Sequence, residues 1–161
     1  MTYKIAVVGA TGNVGREMLS TLCERHFPAR EVVALASRAS IGKEVSFGDT
    51  DILKVQALDD YDFSDTDIAL SSAGSSISKV FAPKAAAAGC VVIDNTSYFR
   101  MEPNIPLVVP EVNSDALADF RKVNIIANPN CSTIQLVVAL KPLQDKFGIT
   151  SVIVSDRKSV V

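Results

Sequence analysis

The chain has 161 residues, of which 48% are hydrophobic, and it carries a formal net charge of -2 with a pI near 5.4. This is enough for one domain with a complete apolar core and too little for two full domains. The slightly acidic balance argues against nucleic acid or an anionic membrane as the main partner, because both select for clustered Lys and Arg. A small-molecule partner is favoured.

No apolar run is long enough to cross a bilayer, and residues 1–4 lead directly into a strand-like segment without a signal-peptide pattern. We therefore expect a cytoplasmic protein. The three cysteines, Cys23, Cys90 and Cys131, lack the spacing of a disulfide framework or a zinc site. Reduced thiols and no bound metal are expected.

Apolar stretches of strand length alternate with helix-length segments along the chain. This order predicts repeated βα units and a Rossmann-like, doubly wound α/β fold with a mostly parallel sheet. The predicted strands are 5–8, 32–36, 68–70, 91–93, 107–109, 124–127 and 149–154, and the predicted helices are 14–23, 76–88, 114–120 and 132–147. Pro142 lies inside the last helix and predicts a bend near Lys141.

A glycine-rich segment, residues 9–15, follows the first predicted strand and opens the first predicted helix. Glycines in this context let the backbone approach a pyrophosphate, which then lies on the helix N-terminus. Gly9 and Gly12 are separated by two residues instead of one, a spacing common in NADP-binding variants of the fold. The segment therefore predicts a dinucleotide site.

The 2′ substituent of such a cofactor is recognised where the second strand ends. An NAD site normally has Asp or Glu there, whereas this chain has Arg38 between Ser37 and Ser40. By itself Arg38 is more readily interpreted as a solvated loop charge. Together with the glycine segment it favours a 2′-phosphate, and hence NADP.

Residues 71–75 and 94–100 also follow predicted strands and lie at the same sheet edge, where ligands of open α/β sheets bind. Arg100 has the geometry to fork onto a phosphate or carboxylate, although an unpartnered surface arginine fits the spacing equally well. Residues 59–67 are acidic but lack a cation-loop pattern, so we interpret them as a solvated connection.

Cys131 lies at the predicted first turn of the last helix. Unpaired backbone N–H groups and the positive end of the helix dipole favour a thiolate there, which makes Cys131 a candidate nucleophile. Cys23 and Cys90 are predicted to be core thiols. His26, the only histidine, ends the first helix at the opposite sheet edge and is not assigned as a base.

Five segments, in this order, resemble the bacterial aspartate-semialdehyde dehydrogenases: residues 7–12, 72–75, 94–100, 108–113 and 128–133. The resemblance extends from residue 3 to about residue 155. Asn130 and Ser132, on either side of Cys131, differ from the Gly and Tyr that are typical of the sister family, N-acetyl-glutamyl-phosphate reductase.

The resemblance implies an NADP-dependent oxidoreductase that interconverts aspartyl-4-phosphate and aspartate semialdehyde, with phosphate as a reactant or product, on the route to lysine, threonine and methionine. It implies a homo-oligomer, with Cys131 forming an acyl-thioester, Arg100 holding phosphate and Asn130 beside the substrate. The implied NADP pocket comprises Gly9, Thr11, Gly12, Asn13, Val14, Ser37, Arg38, Ala39, Ser40, Ser71, Ser72, Ala73 and Gly74.

The chain departs from the family pattern after residue 155, where Lys158 takes the place of a substrate-orienting Gln. The family's general-base His and substrate-carboxylate Arg are also missing. We expect residues 1–130 to form the NADP-binding domain and residues 131–161 to begin a truncated catalytic and dimerisation domain. The chain alone is then expected to be inactive and to self-associate through the helix 132–147.

Two alternatives remain. In the first, the chain would be a non-catalytic NADP-binding module. In the second, it would belong to another glycine-loop class, such as an epimerase or reductase, in which the cysteine is structural. That class usually has a Tyr and Lys pair spaced on one helix, which this sequence lacks.

Overall fold

The computed structural model describes residues 2–49 and 51–155, apart from the side chain of residue 119. A six-stranded parallel sheet and a separate antiparallel hairpin occupy this part of the chain. In chain order the strands are β1 (Tyr3–Val8), β2 (Ala29–Ala36), β3 (Glu44–Phe47), β4 (Asp51–Lys54), β5 (Gln56–Ala57), β6 (Ile68–Ser71), β7 (Val91–Asp94) and β8 (Ile125–Ala127). The sheet order is β5-β2-β1-β6-β7-β8, and β3 pairs with β4.

Four α-helices connect and flank these strands: α1 (Asn13–Glu24), α2 (Ser75–Ala87), α3 (Pro110–Asn113) and α4 (Cys131–Phe147). Short 3-10 segments follow β2, β5 and α3, at Arg38–Ser40, Leu58–Asp60 and Ser114–Lys122. No helix in the described part of the chain has the length and apolarity needed to cross a membrane.

The sheet is built outward from β1, whose apolar run is buried on both faces, as is typical of a central parallel strand. Val8 is in register with Leu35 of β2 on one side and Ser71 of β6 on the other. In the sheet, β2 therefore lies on one side of β1, and β6 lies on the other side. This reversal of strand order is the topological switch point at which open α/β sheets bind ligands.

Alternation along β1 divides the apolar core between the two faces of the sheet. Ala6 and Val8 belong to a cluster that contains Phe81 of α2, whereas Val7 belongs to a second cluster with Leu19 of α1. The predicted doubly wound, Rossmann-like α/β fold is confirmed.

Several predicted elements are confirmed with shifted ends, while the hairpin of β3 and β4 and the short strand β5 were not predicted. The prediction of a strand at 107–109 is wrong: Leu107 makes only an isolated bridge to Ala127, and Val109 is the N-cap of α3. The Asn113 side chain accepts a hydrogen bond from the Val109 N–H at 2.8 Å and donates one to the Leu107 carbonyl at 2.9 Å, which folds the segment into a turn.

The segment predicted as helix 114–120 is a 3-10 segment, Ser114–Lys122, rather than an α-helix. The prediction of a strand at 149–154 is also wrong, because residues 149–155 form no helix or strand and Ile153 is 98% exposed. The last helix is confirmed as α4, which continues through Pro142. The bend near Lys141 stays a prediction.

Candidate functional site

The glycine loop between β1 and α1 is packed against the loop that follows β6. Gly9 has a φ of 86°, and a Cβ there would lie 3.0 Å from the backbone N of Ala73. A Cβ on Gly15 would lie 2.2 Å from the carbonyl oxygen of Gly9. Both positions therefore require glycine, one for backbone conformation and contact with the next loop, the other for close approach of α1 to the loop.

The helices that begin on either side of this contact have no side-chain cap. Gly12 is the N-cap of α1 and Gly74, with a φ of 95°, is the N-cap of α2, and neither helix has an acidic residue in its first turn. Helix N-termini of this kind present backbone N–H groups to an anion. Asn13 and Val14, in the first turn of α1, are exposed at this edge.

The loop after β6 contains small side chains in two different positions. Ser72 donates from its N–H to the Val8 carbonyl at 2.9 Å, which holds the loop beside the glycine loop. Ser71, by contrast, is fully buried, and its hydroxyl lies 3.0 Å from that of Ser78 in α2. The side chain of Ser71 therefore lies beneath the edge, whereas Ser72 and Ala73 are half-buried and Gly74 is exposed.

Arg38 lies in the 3-10 turn after β2, with Ser37 and Ala39 also exposed and Ser40 buried at its end. Its guanidinium is paired: Nη2 lies 2.6 Å from Oδ1 of Asp60, and Nε lies 3.5 Å from Oδ2 of Asp59. Arg38, which is predicted to bind a phosphate, thus lies where β2 ends, and its guanidinium is already paired with two carboxylates.

A buried carboxylate organises the end of β7, and the sequence patterns did not point to it. Asp94 is fully buried; its oxygens accept hydrogen bonds from the hydroxyls of Ser78 and Thr96, each at 2.7 Å. These bonds satisfy the carboxylate without a cation and fix the loop after β7 to α2. An Asp that ends an apolar strand and is followed two residues later by Thr is the local signal for such a turn.

Arg100 connects the loops after β7 and β8. Its Nε donates to the Asn128 carbonyl and its Nη2 to the Asn95 carbonyl, each at 3.0 Å. The Nδ2 of Asn128 also donates to Oδ1 of Asn95 at 2.7 Å. These contacts orient the half-buried guanidinium and tie it to the segment that leads directly to Cys131.

Cys131 is the first residue of α4, in the first turn of the helix as the sequence predicts, and it is exposed. Asn130 is the N-cap: its Oδ1 accepts hydrogen bonds from the Ser132 N–H at 3.0 Å and the Ser132 hydroxyl at 2.6 Å. The same oxygen lies 3.9 Å from the thiol Sγ of Cys131. Asn130 therefore caps the helix and contacts the candidate nucleophile at once.

The other two thiols lie away from this edge. Cys90 is fully buried at the start of β7, and burial, with a smaller contribution from Asp67, raises the pKa of Cys90 to about 12. Cys23 is half-buried near the end of α1 and packs against Gly48. His26 follows α1 at the opposite edge of the sheet, just before β2 begins. In the described ranges no cluster of His, Cys, Asp and Glu is arranged to hold a metal ion.

The site elements follow five neighbouring strands. The Arg38 turn follows β2, the glycine loop β1, the Ser72 loop β6, the Arg100 loop β7 and Cys131 β8. Adjacent strands lie about 4.8 Å apart, so the row extends over about 19 Å at one edge of the sheet. The row has the uncapped N-termini of α1 and α2 near its centre and the thiol of Cys131 at one end.

Comparison with known proteins decides the family. The model of the semialdehyde dehydrogenase family, NAD-binding domain, matches residues 4–120. The chain belongs to this family. Its relatives include the aspartate-semialdehyde dehydrogenase of Rickettsia conorii, which is 54% identical over 158 residues that make up 98% of this chain and 46% of that protein. The resemblance to the aspartate-semialdehyde dehydrogenases is thus confirmed.

Solved structures of the family share the fold. The aspartate-semialdehyde dehydrogenase II of Vibrio cholerae complexed with ASA superposes with a TM-score of 0.89 at 54% identity, over 92% of this chain and 48% of that one. The enzyme of Candida albicans with NADP has a TM-score of 0.75 at 30% identity, over 92% of this chain and 48% of that one. The chain spans about half the length of the curated semialdehyde dehydrogenase relatives it matches.

Proposed function

We propose that this chain is the NADP-binding part of an aspartate-semialdehyde dehydrogenase and carries its catalytic cysteine. The observation that supports the proposal is the convergence of the glycine loop, the Arg100 loop and Cys131 on one sheet edge. We place the boundary to a catalytic and dimerisation domain between Asn130 and Cys131, where the chain leaves the sheet for α4. A cytoplasmic location and a homo-oligomeric assembly remain predictions.

For the cofactor, the pyrophosphate would bind the uncapped N-termini of α1 and α2, and Arg38 would bind the 2′-phosphate. A cleft of 360 Å³ lies next to Asp59, and its walls include Leu58, Tyr61 and Ile77. Its mainly apolar lining suits the adenine ring. The NADP in the Candida albicans structure supports the choice of cofactor class.

For the chemistry, the Cys131 thiolate would attack the carbonyl carbon of aspartyl-4-phosphate, forming a C–S bond as the C–O bond to phosphate breaks. Arg100, oriented beforehand by the carbonyls of Asn95 and Asn128 on its Nη2 and Nε, would bind the phosphate that leaves through Nη1 and the second N–H of Nη2. The chemistry that the cofactor supplies when bound is hydride transfer to the thioester carbonyl. The aldehyde then departs as the thiolate is released.

Cofactor titration tests the NADP site. We expect the chain to bind NADPH more tightly than NADH, and Arg38→Ala to weaken NADPH binding by about 10-fold to 100-fold, the range for a charge-assisted contact to phosphate. Arg30→Ala is the matched control, because Arg30 is an exposed arginine paired with Asp65 at the opposite edge. Equal affinity of the wild-type chain for the two cofactors would remove the 2′-phosphate assignment.

Acylation tests the nucleophile independently of the cofactor. Incubation with freshly prepared aspartyl-4-phosphate should add one aspartyl group to the intact mass, and Cys131→Ser should abolish this thioester. Labelling that persists in Cys131→Ser would reject the assignment.

Acylation and turnover, measured together, separate the catalytic proposal from the alternative of a binding module. The single histidine of the sequence, His26, follows α1 at the edge opposite Cys131, so the chain places no imidazole base beside the thiol. We therefore expect no phosphate-dependent NADP reduction by aspartate semialdehyde. A chain that acylates at Cys131 but does not turn over is a catalytic part; one that binds NADPH without acylating is a binding module.

A further inference from the structure

The ion pairs of Arg38 follow from the way β2 and β5 pair. Leu35 is in register with Gln56 and Ala36 with Ala57, so the turns that follow these two strands lie side by side. The first turn carries Arg38 and the second carries Asp59 and Asp60. The ion pairs therefore join residues more than 20 positions apart and are a property of the sheet, not of a single loop.

The carboxylates occupy one particular edge of the guanidinium. Asp60 lies 2.6 Å from Nη2 and Asp59 lies 3.5 Å from Nε. Nε and Nη2 together form the side edge of the guanidinium, which binds the two oxygens of a carboxylate or phosphate in parallel. A 2′-phosphate that binds Arg38 in this manner needs the N–H groups to which Asp60 and Asp59 are now bonded.

We infer that Asp60 is a specificity-determining residue that competes with the 2′-phosphate of NADPH for Arg38. The inference rests on the proposed NADP site. When the phosphate binds, Asp60 loses its partner and its carboxylate lies close to a dianion. With NADH the ion pair is retained, and the carboxylate is available to accept a hydrogen bond from the ribose 2′-hydroxyl, as acidic residues do in NAD sites. Asp60 thus reduces the preference for NADPH over NADH.

The size of the effect is limited by solvent. Arg38 and Asp60 have side chains that are 61% and 58% exposed, so water screens both the ion pair and its repulsion of the phosphate. Removing the Asp60 charge is therefore expected to tighten NADPH binding by about 2-fold to 5-fold. Asp59, at the longer distance, should have a smaller effect.

Dissociation constants for NADPH and NADH in the 161-residue chain test the inference. Asp60→Asn should tighten NADPH and leave NADH unchanged or weaker, with the difference shrinking as salt is raised. Asp145→Asn is the matched control, because Asp145 is an exposed carboxylate 2.6 Å from the Lys141 amine on α4. It removes the same charge without touching Arg38, and we expect no change in either constant.

The variants distinguish the two proposals. If Arg38→Ala weakens NADPH binding but Asp60→Asn does not strengthen it, the NADP site stands and the role of Asp60 is refuted. Equal tightening of NADPH and NADH in Asp60→Asn would also refute it, since a general charge effect explains that result. If Arg38→Ala leaves NADPH binding unchanged, both the 2′-phosphate site and the role of Asp60 fail.

Discussion

The helices α2 and α4 resemble each other in composition but differ in what surrounds them. Both are rich in small and aliphatic residues and contain an internal proline, Pro83 in α2 and Pro142 in α4. Five residues of α2 are buried, among them Phe81, which packs in the core on one face of the sheet. No residue of α4 is buried. The surroundings of a helix, rather than its composition, therefore decide whether its apolar side chains leave water.

The two helices are accordingly stabilised in different ways. α2 has no side-chain cap and depends on packing against β7 and β8. α4 has an Asn130 cap, a Lys141–Asp145 ion pair one turn apart, and Gly148 with a φ of 71° at its C-cap. Local interactions thus help to hold α4 in shape while three of its apolar side chains, Val138, Leu143 and Phe147, stay exposed. The exposed apolar side chains of α4 therefore form a surface that is available for contact with another protein surface.

Truncating one phenylalanine in each helix should give the largest difference. We expect Phe81→Ala to lower the free energy of unfolding by about 3–5 kcal/mol, because it removes a buried ring and leaves a cavity. Phe147→Ala should change it by less than about 0.5 kcal/mol, because that ring is 71% exposed. Urea unfolding followed by circular dichroism measures both. Similar losses in the two variants would show that α4 is packed in solution.

The rate of thiol alkylation should also differ between the regions of α2 and α4. Cys90 follows α2 and, with a pKa raised to about 12, has a thiolate fraction of about 1 in 10,000 at pH 8. Cys131 opens α4 and is exposed. With Cys23→Ser as background, iodoacetamide should alkylate Cys131 at least about 100-fold faster than Cys90 in the folded chain, because Cys90 reacts only through opening. In urea the two rates should converge, and folded-state rates within a few-fold of each other would contradict the burial of Cys90.

The smallest expected difference between α2 and α4 is in their contribution to self-association of the chain. We expect weak association of the 161-residue chain through the exposed apolar side chains of α4, Val138, Leu143 and Phe147. In sedimentation velocity this association appears as a sedimentation coefficient that rises with protein concentration. Leu143→Glu should reduce this dependence. Val80→Glu is the control, because Val80 is a similarly exposed aliphatic residue of α2. A wild-type chain that stays monomeric across the concentration range would refute the association.

Features carried by local sequence were predicted, and features made by distant residues were not. The buried run of β1 and the position of the glycine loop between β1 and α1 have local signals, and both are confirmed. The ion pairs of Arg38 and the hydrogen bond from Ser78 to Asp94 depend on which elements become neighbours in the fold, and no local pattern encodes that. Residues 149–154 have strand-like composition, but strand formation requires a neighbouring edge to pair with, and they pair with none in the described part of the chain.

The hairpin of β3 and β4 was missed for a different reason. Each strand has only four residues and carries charges at or near its ends, so the alternation is too short to stand out. Val45 is its one fully buried apolar side chain and belongs to the α1 cluster. A hairpin held by one buried side chain can be recognised only when the surface against which that side chain packs is known.

The central position of β1 also has a consequence for synthesis on the ribosome. β1 is made first, yet Ile5 pairs with Ile68, so one side of this apolar strand waits for about 60 further residues. At about 5–20 residues per second that interval is about 3–12 s. The nascent chain therefore exposes one side of this apolar strand for seconds, while β2 is available to pair with the other side. Slowed translation between residues 36 and 68 should prolong contact of this segment with nascent-chain chaperones.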